Sequence, residues 1–231
     1  MTRLRSIATA AIVSLACAPA NAADPGHPVV AELFQSQGCS SCPPANANLN
    51  AIAGHADVLA LSFGVTYWDR LGWKDTFAHP RFAERQWDYA KAGGRGNVST
   101  PQMIVNGRGV LIGHSRPQVA AFIRKYDRGS SGPVIATSGS RIAIAGAKAA
   151  KPATVWLVRY DLRIRNVPIR AGENGGRTLP HRNIVRSLVG LGQWTGACTS
   201  FAVPASPDPA WHSAVIVQQG RGGTIIAARR I

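Results

Sequence analysis

Acidic side chains are scarce in this chain: 11 Asp and Glu stand against 26 Lys and Arg, for a formal charge of +15 over 231 residues. Such an imbalance favours anionic surfaces through a non-specific field, and an anionic envelope surface is the partner it fits. It does not amount to sequence readout of nucleic acid. The arginines are scattered and no nucleic-acid-binding motif accompanies them, so no specific nucleic-acid partner is expected. Cysteine is sparse as well, with four in the whole sequence. Repeats and coiled-coil heptads are lacking. No apolar run beyond the N-terminus is long enough to cross a bilayer about 30 Å thick.

The N-terminus itself reads "MTRLRSIATAAIVSLACAPANAADPG". Arg3 and Arg5 form a positive start, Ile7 to Ala18 a short apolar core, and Ala20-Asn21-Ala22 a small-residue cleavage site. That order predicts a secretory signal over residues 1–22, and a periplasmic or secreted protein. Its removal leaves 24 Lys and Arg against 11 acids, or +13, and only Cys39, Cys42 and Cys198. An odd number of cysteines cannot make a purely intramolecular disulfide framework. The remaining 209 residues are enough to bury a core without staples. The cysteines are therefore expected to do chemistry.

The stretch "YDRGSSGPV" divides the sequence, Gly129 to Pro133 being rich in turn residues. Residues 23–130 alternate strand and helix signals: "PVVAELF", then "PPANANLNAIAG", "DVLALSFGV" and "HPRFAERQWDYAKAGG". "QMIVNGRGVLIG" follows as a hairpin about Asn106-Gly107. "RPQVAAFIRKY" closes the half, with Val119, Phe122, Ile123 and Tyr126 on one helical face. Residues 133–231 instead show strand patterns. "TVWLVRYDLRIR" reads as a half-buried strand, apolar on one face and charged over most of the other. "SRIAIAG", "SAVIVQQ" and "GTIIAARR" are further strands, and "HRNIVRSLVGL" is either a strand or a short helix. The expectation is an α/β unit with a mixed sheet flanked by helices, followed by a β-rich antiparallel domain.

"FQSQGCSSCPPAN" places Cys39 and Cys42 between a strand and a helix. The helix entrance offers free N–H groups and a partial positive charge, and both favour thiolate over thiol. Pro43 and Pro44 suit only a first turn, so regular helix should begin near Pro43 with Cys42 at its cap in a non-helical conformation. Cys39 is expected to be the more exposed sulfur and the attacker, with Cys42 resolving. A disulfide closing so small a loop removes little chain entropy and is a poor staple. Zinc requires about four donors, and the pair has no second Cys-x-x-Cys or closely spaced histidines beside it. No metal or other cofactor is expected. The alternative is Cu(I), which two thiolates suit. His55, His79 and His114 lack ligand spacing and are read as loop or surface residues. Cys198 is read as a small buried core residue.

The pair, together with Thr100-Pro101 in "VSTPQMIVNG", resembles the thioredoxin superfamily. That likeness implies a cis-proline loop facing the cysteines, whose backbone binds an extended substrate. A narrower resemblance, carried by "VVAELFQSQGCSSCPPAN", "YWDRLGWKD", "RQWDYA", "TPQMIVNG" and "GENGGRTLPHRNIVRSL", is to a family of exported bacterial proteins known as domain of unknown function twelve-twenty-three. It implies a thioredoxin-like domain followed by a β-rich one. The chain departs from that family at Gly64, where a histidine is expected, and at Thr66, where an acid is expected.

Tyr67, Trp68, Asp69 and Trp73 make an aromatic loop that could form one wall of a substrate groove, with Asp69 a candidate proton acceptor. The function expected is thiol–disulfide exchange through Cys39 and Cys42, with substrate bound by Thr100, Pro101, Trp68, Trp73 and Asp69. The partner would be a protein thiol, a protein disulfide or a redox protein. The alternatives are Cu(I) handling and a non-catalytic binding protein.

Overall fold

The computed structural model describes residues 23–146 and 151–231. The expected signal at 1–22 lies outside the described residues. The first half contains β1 (Val29–Gln35), α1 (Pro43–Ile52), β2 (Val58–Gly64), a 3-10 helix (Thr66–Leu71), α2 (Pro80–Ala92), β3 (Gln102–Val105), β4 (Gly109–Leu111) and α3 (Arg116–Lys125). The second half adds β5 (Val134–Ser138), β6 (Arg141–Ala145), β7 (Ala153–Asp161), β8 (Arg165–Pro168) and β9 (Thr178–His181). β10 (Ile184–Trp194), β11 (Thr199–Ala202), β12 (His212–Gln219) and β13 (Ile225–Arg230) complete it.

The fold is mixed α/β, built on an eight-stranded sheet in the order β13-β12-β7-β10-β2-β1-β3-β4. β1 runs parallel to β2 and antiparallel to β3. Every residue of β1 is buried, because both faces of the sheet are covered and successive side chains point to opposite faces. Val29, Ala31 and Leu33 pack with Leu49 of α1 and Val119 of α3. Val30 and Phe34 join Phe63 and Tyr89 on the other face. Asn106 and Gly107 turn the β3–β4 hairpin at φ values of 45° and 68°, the left-handed pair that a two-residue turn requires. A Cβ on Gly107 would also overlap the Gly223 carbonyl oxygen.

The second half supplies the antiparallel strands expected of it, but four of them extend the first half's sheet instead of closing one of their own. The seam is β10 beside β2, with Ile184 opposite Ser62. Ser62 N–H donates to Asn183 O at 2.9 Å, and the Asn183 side chain donates to Ala60 O at 2.8 Å. One apolar cluster crosses the seam, packing Phe34, Phe63 and Tyr89 with Trp156, Val158 and Tyr160. Two antiparallel sheets stand apart, β11-β6-β5 and the β8-β9 pair.

The expected half-buried character of "TVWLVRYDLRIR" is corrected. β7 lies between β10 and β12, and the three-stranded sheet covers its second face, so Leu157, Arg159 and Asp161 are all buried. The strand also ends at Asp161, short of the expected Arg165. Asp161 accepts from the Arg163 and Arg165 guanidinium groups. Burial pushes its carboxyl up, but these hydrogen bonds prevail and hold it down at about 2. The ambiguous "HRNIVRSLVGL" contributes the end of β9 and most of β10, an 11-residue strand with two register shifts.

Candidate functional site

β1 delivers the chain into the buried segment Ser36-Gln37-Gly38, and Cys39 follows at the approach to α1. Cys39 and Cys42 form a disulfide with Cα atoms 5.4 Å apart. α1 begins at Pro43 with Cys42 as its N-cap residue, as the prolines dictate. Two expectations fail here. Cys42 has helical dihedrals (φ −76°, ψ −32°), since its N–H bonds to Cys39 O and its C=O already accepts from Asn46 N–H. And Cys39 is not the exposed sulfur: it is 0% exposed and Cys42 1%. Ser40 and Ser41 between them do face solvent.

The burial has an identifiable cause. The β8–β9 pair forms an arm whose tip, residues 169–177, lies over the cysteine loop. Asn174, itself fully buried, donates both amide hydrogens, one to Gln37 O and one to Cys39 O, each at 2.9 Å. The Glu173 carboxylate accepts from Ser40 N–H at 3.0 Å, and the Ser40 hydroxyl, together with that N–H, holds its pKa below the usual range. Further along, Asn46 and Asn50 of α1 donate to Pro180 O at 2.7 and 2.9 Å. Sequence reasoning missed Glu173 and Asn174, which lie more than 130 residues from their partners. Both lie in "GENGGRTLPHRNIVRSL", which carried only the family resemblance.

Thr100 and Pro101 come beside the pair. The peptide between them is cis, and Ser41 Oγ lies 3.5 Å from Thr100 O. The Ser41 hydroxyl is also 3.3 Å from Cys39 Sγ. The aromatic loop completes the surround: Trp68 Nε1–H donates to Thr100 Oγ1 at 2.7 Å, and Trp73 Nε1–H to Gln37 Oε1 at 2.9 Å. His114, read as a plain loop histidine, has Nε2 2.8 Å from Ser41 O. Asp69 is turned to the backbone instead, Oδ1 accepting from Asp75 N–H at 3.1 Å.

Asp75 is the acid nearer the cysteine segment. Its carboxyl accepts from Gln37 N–H at 2.8 Å and Phe77 N–H at 2.7 Å. Burial outweighs these bonds and pushes it up to about 6. His181, at the end of the arm, is held neutral by burial, its pKa down at about 4. Cys198 corrects another expectation, being free and exposed in the turn after β10. Among the described residues, no group of three or more His, Cys, Asp or Glu side chains is placed to hold a metal ion.

The site is thus a closed disulfide at a helix entrance, set in a mixed α/β sheet protein and roofed by an arm from the second half. The sequence matches the family described as Protein of unknown function (DUF1223) over residues 30–218, and the chain belongs to that family. Its fold is similar to the crystal structure of protein AGR_C_4864 from Agrobacterium tumefaciens, at 30% identity and a TM-score of 0.74, covering 88% of this chain and 93% of that one. HBP35 of Porphyromonas gingivalis shares the fold at 14% identity and a TM-score of 0.58, over 89% of this chain and 75% of that one. No curated protein matches the sequence. Gly64 itself has a steric reason to be glycine. Its backbone pairs with Ala78, and a Cβ would meet Ala78 N at 2.9 Å.

Proposed function

We propose that this chain is an exported thiol–disulfide exchange protein of thioredoxin-like build, whose disulfide is reached by displacing the arm. The observation that carries the reading is the Cys39–Cys42 disulfide at the entrance of α1, beside the Thr100–Pro101 loop. The thioredoxin-like build is supported by the strand order β2-β1-β3-β4, with β1 parallel to β2 and antiparallel to β3.

The exchange runs in two displacements. A substrate thiolate attacks Cys39 Sγ, the bond to Cys42 breaks, and Cys42 leaves as a thiolate that takes up a proton. A second substrate thiolate then attacks the substrate sulfur of the mixed disulfide. Cys39 leaves and is protonated, the substrate departs as a disulfide, and two electrons have passed to the protein. In reverse, Cys39 attacks a substrate disulfide and Cys42 resolves the adduct. Asn174 and Glu173 hold the arm over the sulfurs by hydrogen bonds to backbone, contacts that can break without disturbing the sheet.

The test uses a Cys198→Ser background, because the exposed Cys198 would otherwise react first. Dithiothreitol should reduce the Cys39–Cys42 bond in the folded protein, and the added Cys42→Ser change should leave Cys39 able to form a glutathione adduct visible by mass spectrometry. Reduction only under unfolding conditions would make the disulfide a buried staple and end the proposal.

A further inference from the structure

The second half holds a cavity that the cysteine chemistry does not use. It measures about 430 Å³ and lies where β5 and β6 of the three-stranded sheet meet β7, β12 and β13 of the large one. That volume is in the range of small-molecule sites. Four arginines line it: Arg230, whose guanidinium donates to the Ala56, His55 and Val58 carbonyls, and three others, Arg141 at the start of β6, Arg159 on β7 and Arg229 on β13. Ile142, Val203 and Pro204 give it an apolar side.

The arginines are bound only to neutral oxygens. Arg159 donates through Nη1 to Ser213 Oγ at 2.6 Å and through Nη2 to Pro204 O. Arg229 Nη1 donates to Ile135 O, and Arg141 Nε to Ser200 Oγ at 3.0 Å. Among the described residues, no carboxylate lies within 4.0 Å of any of the three, that of Ile231 included. Arg159 is 7% exposed, and burial draws its pKa below the usual value, yet a guanidinium stays charged. Arg85, by contrast, is buried throughout and sits 2.7 Å from the Glu32 carboxylate. A buried cation lacking a counter-charge is unfavourable unless something supplies one. The guanidinium fork is shaped for phosphate and carboxylate oxygens.

We propose that this cavity binds a small, soluble, amphiphilic organic anion, its phosphate or carboxylate head held by Arg141, Arg159 and Arg229 and its apolar body against Ile142, Val203 and Pro204. The site is independent of the exchange chemistry at the cysteines.

Calorimetric titration of the full chain at fixed ionic strength tests this with phenyl phosphate, inorganic phosphate and phenol. Phenyl phosphate should bind saturably, one per chain, about tenfold more tightly than inorganic phosphate, and phenol should not bind. Arg159→Gln should weaken phenyl phosphate by about tenfold or more. Arg141→Gln, at an exposed residue where folding is not at risk, should weaken it as well. Arg116→Gln, exposed at the start of α3, should stay within about twofold. Absence of saturable binding overturns the proposal. So does equal weakening by Arg141→Gln and Arg116→Gln, which would mark a general field. Equal affinity for phosphate and phenyl phosphate overturns the amphiphilic assignment.

Discussion

Asp75 and His181 are two buried titratable side chains packed around the cysteine segment, and they respond to acid in opposite senses. Asp75 is raised from 3.8 to about 6, so between those values the folded protein holds a proton that the unfolded chain has released. Its contribution is therefore full at low pH and is lost as pH rises through 6. His181 is lowered from 6.5 to about 4, so its contribution is full above 6.5 and is lost as pH falls through 4. Each amounts to about 3 kcal/mol, and across pH 4–6 they offset one another. Asp75→Asn should unmask the histidine, giving stability that climbs with pH over this window. His181→Gln should give the opposite slope. Urea midpoints at pH 4, 5 and 6 decide it, and parallel profiles for all three proteins would count against the assignment. The place of Cys42 at the start of α1 was legible in the sequence because Pro43 and Pro44 suit only a first turn, whereas the approach of Thr100 and Pro101 was implied only by the family resemblance. The burial of Asp75 and His181 was not legible, since it depends on segments distant in sequence packing over them.

At the scale of elements, the arm is fastened across the cysteine segment. Asn174 places two hydrogen bonds on the cysteine segment, and at about 1 kcal/mol each their loss shifts an opening equilibrium by roughly tenfold or more. Asn174→Ala should accelerate dithiothreitol reduction of the Cys39–Cys42 bond by about that factor, with Glu173→Gln showing a smaller effect. Unchanged rates in a folded Asn174→Ala protein would mean that the arm is not the barrier. The strands and helices of the first half could be read locally: Asn106-Gly107 turns its hairpin, and Val119, Phe122, Ile123 and Tyr126 do share the packed face of α3. β7 could not be read so, because Arg159 and Asp161 look like solvent-facing residues until the partners that bury them are known. Local pattern reports which residues alternate, not which sheet covers them.

For the whole molecule, a buried ion pair of the first half reaches into the second through a hydrogen bond to Gln218. Arg85 of α2 donates twice to Glu32 of β1, once to Gln218 of β12 and once to the Tyr89 hydroxyl oxygen, while Tyr89 donates to Glu32. Trp156 of β7 also donates to Gln218. Glu32→Gln would leave a buried guanidinium uncompensated, and should cost about 3–5 kcal/mol in urea unfolding. A loss below about 1 kcal/mol would show that water or another group replaces the carboxylate.

The covering arm and the joint between the halves are neighbours along the backbone. β9 ends at His181, and Asn183, which follows after Arg182, already bonds to β2. The root of the arm and the stitch at Ser62 are thus separated by Arg182 alone. A change that loosens this short span would therefore weaken two contacts at once, the arm's root on α1 and the parallel pairing of β10 with β2.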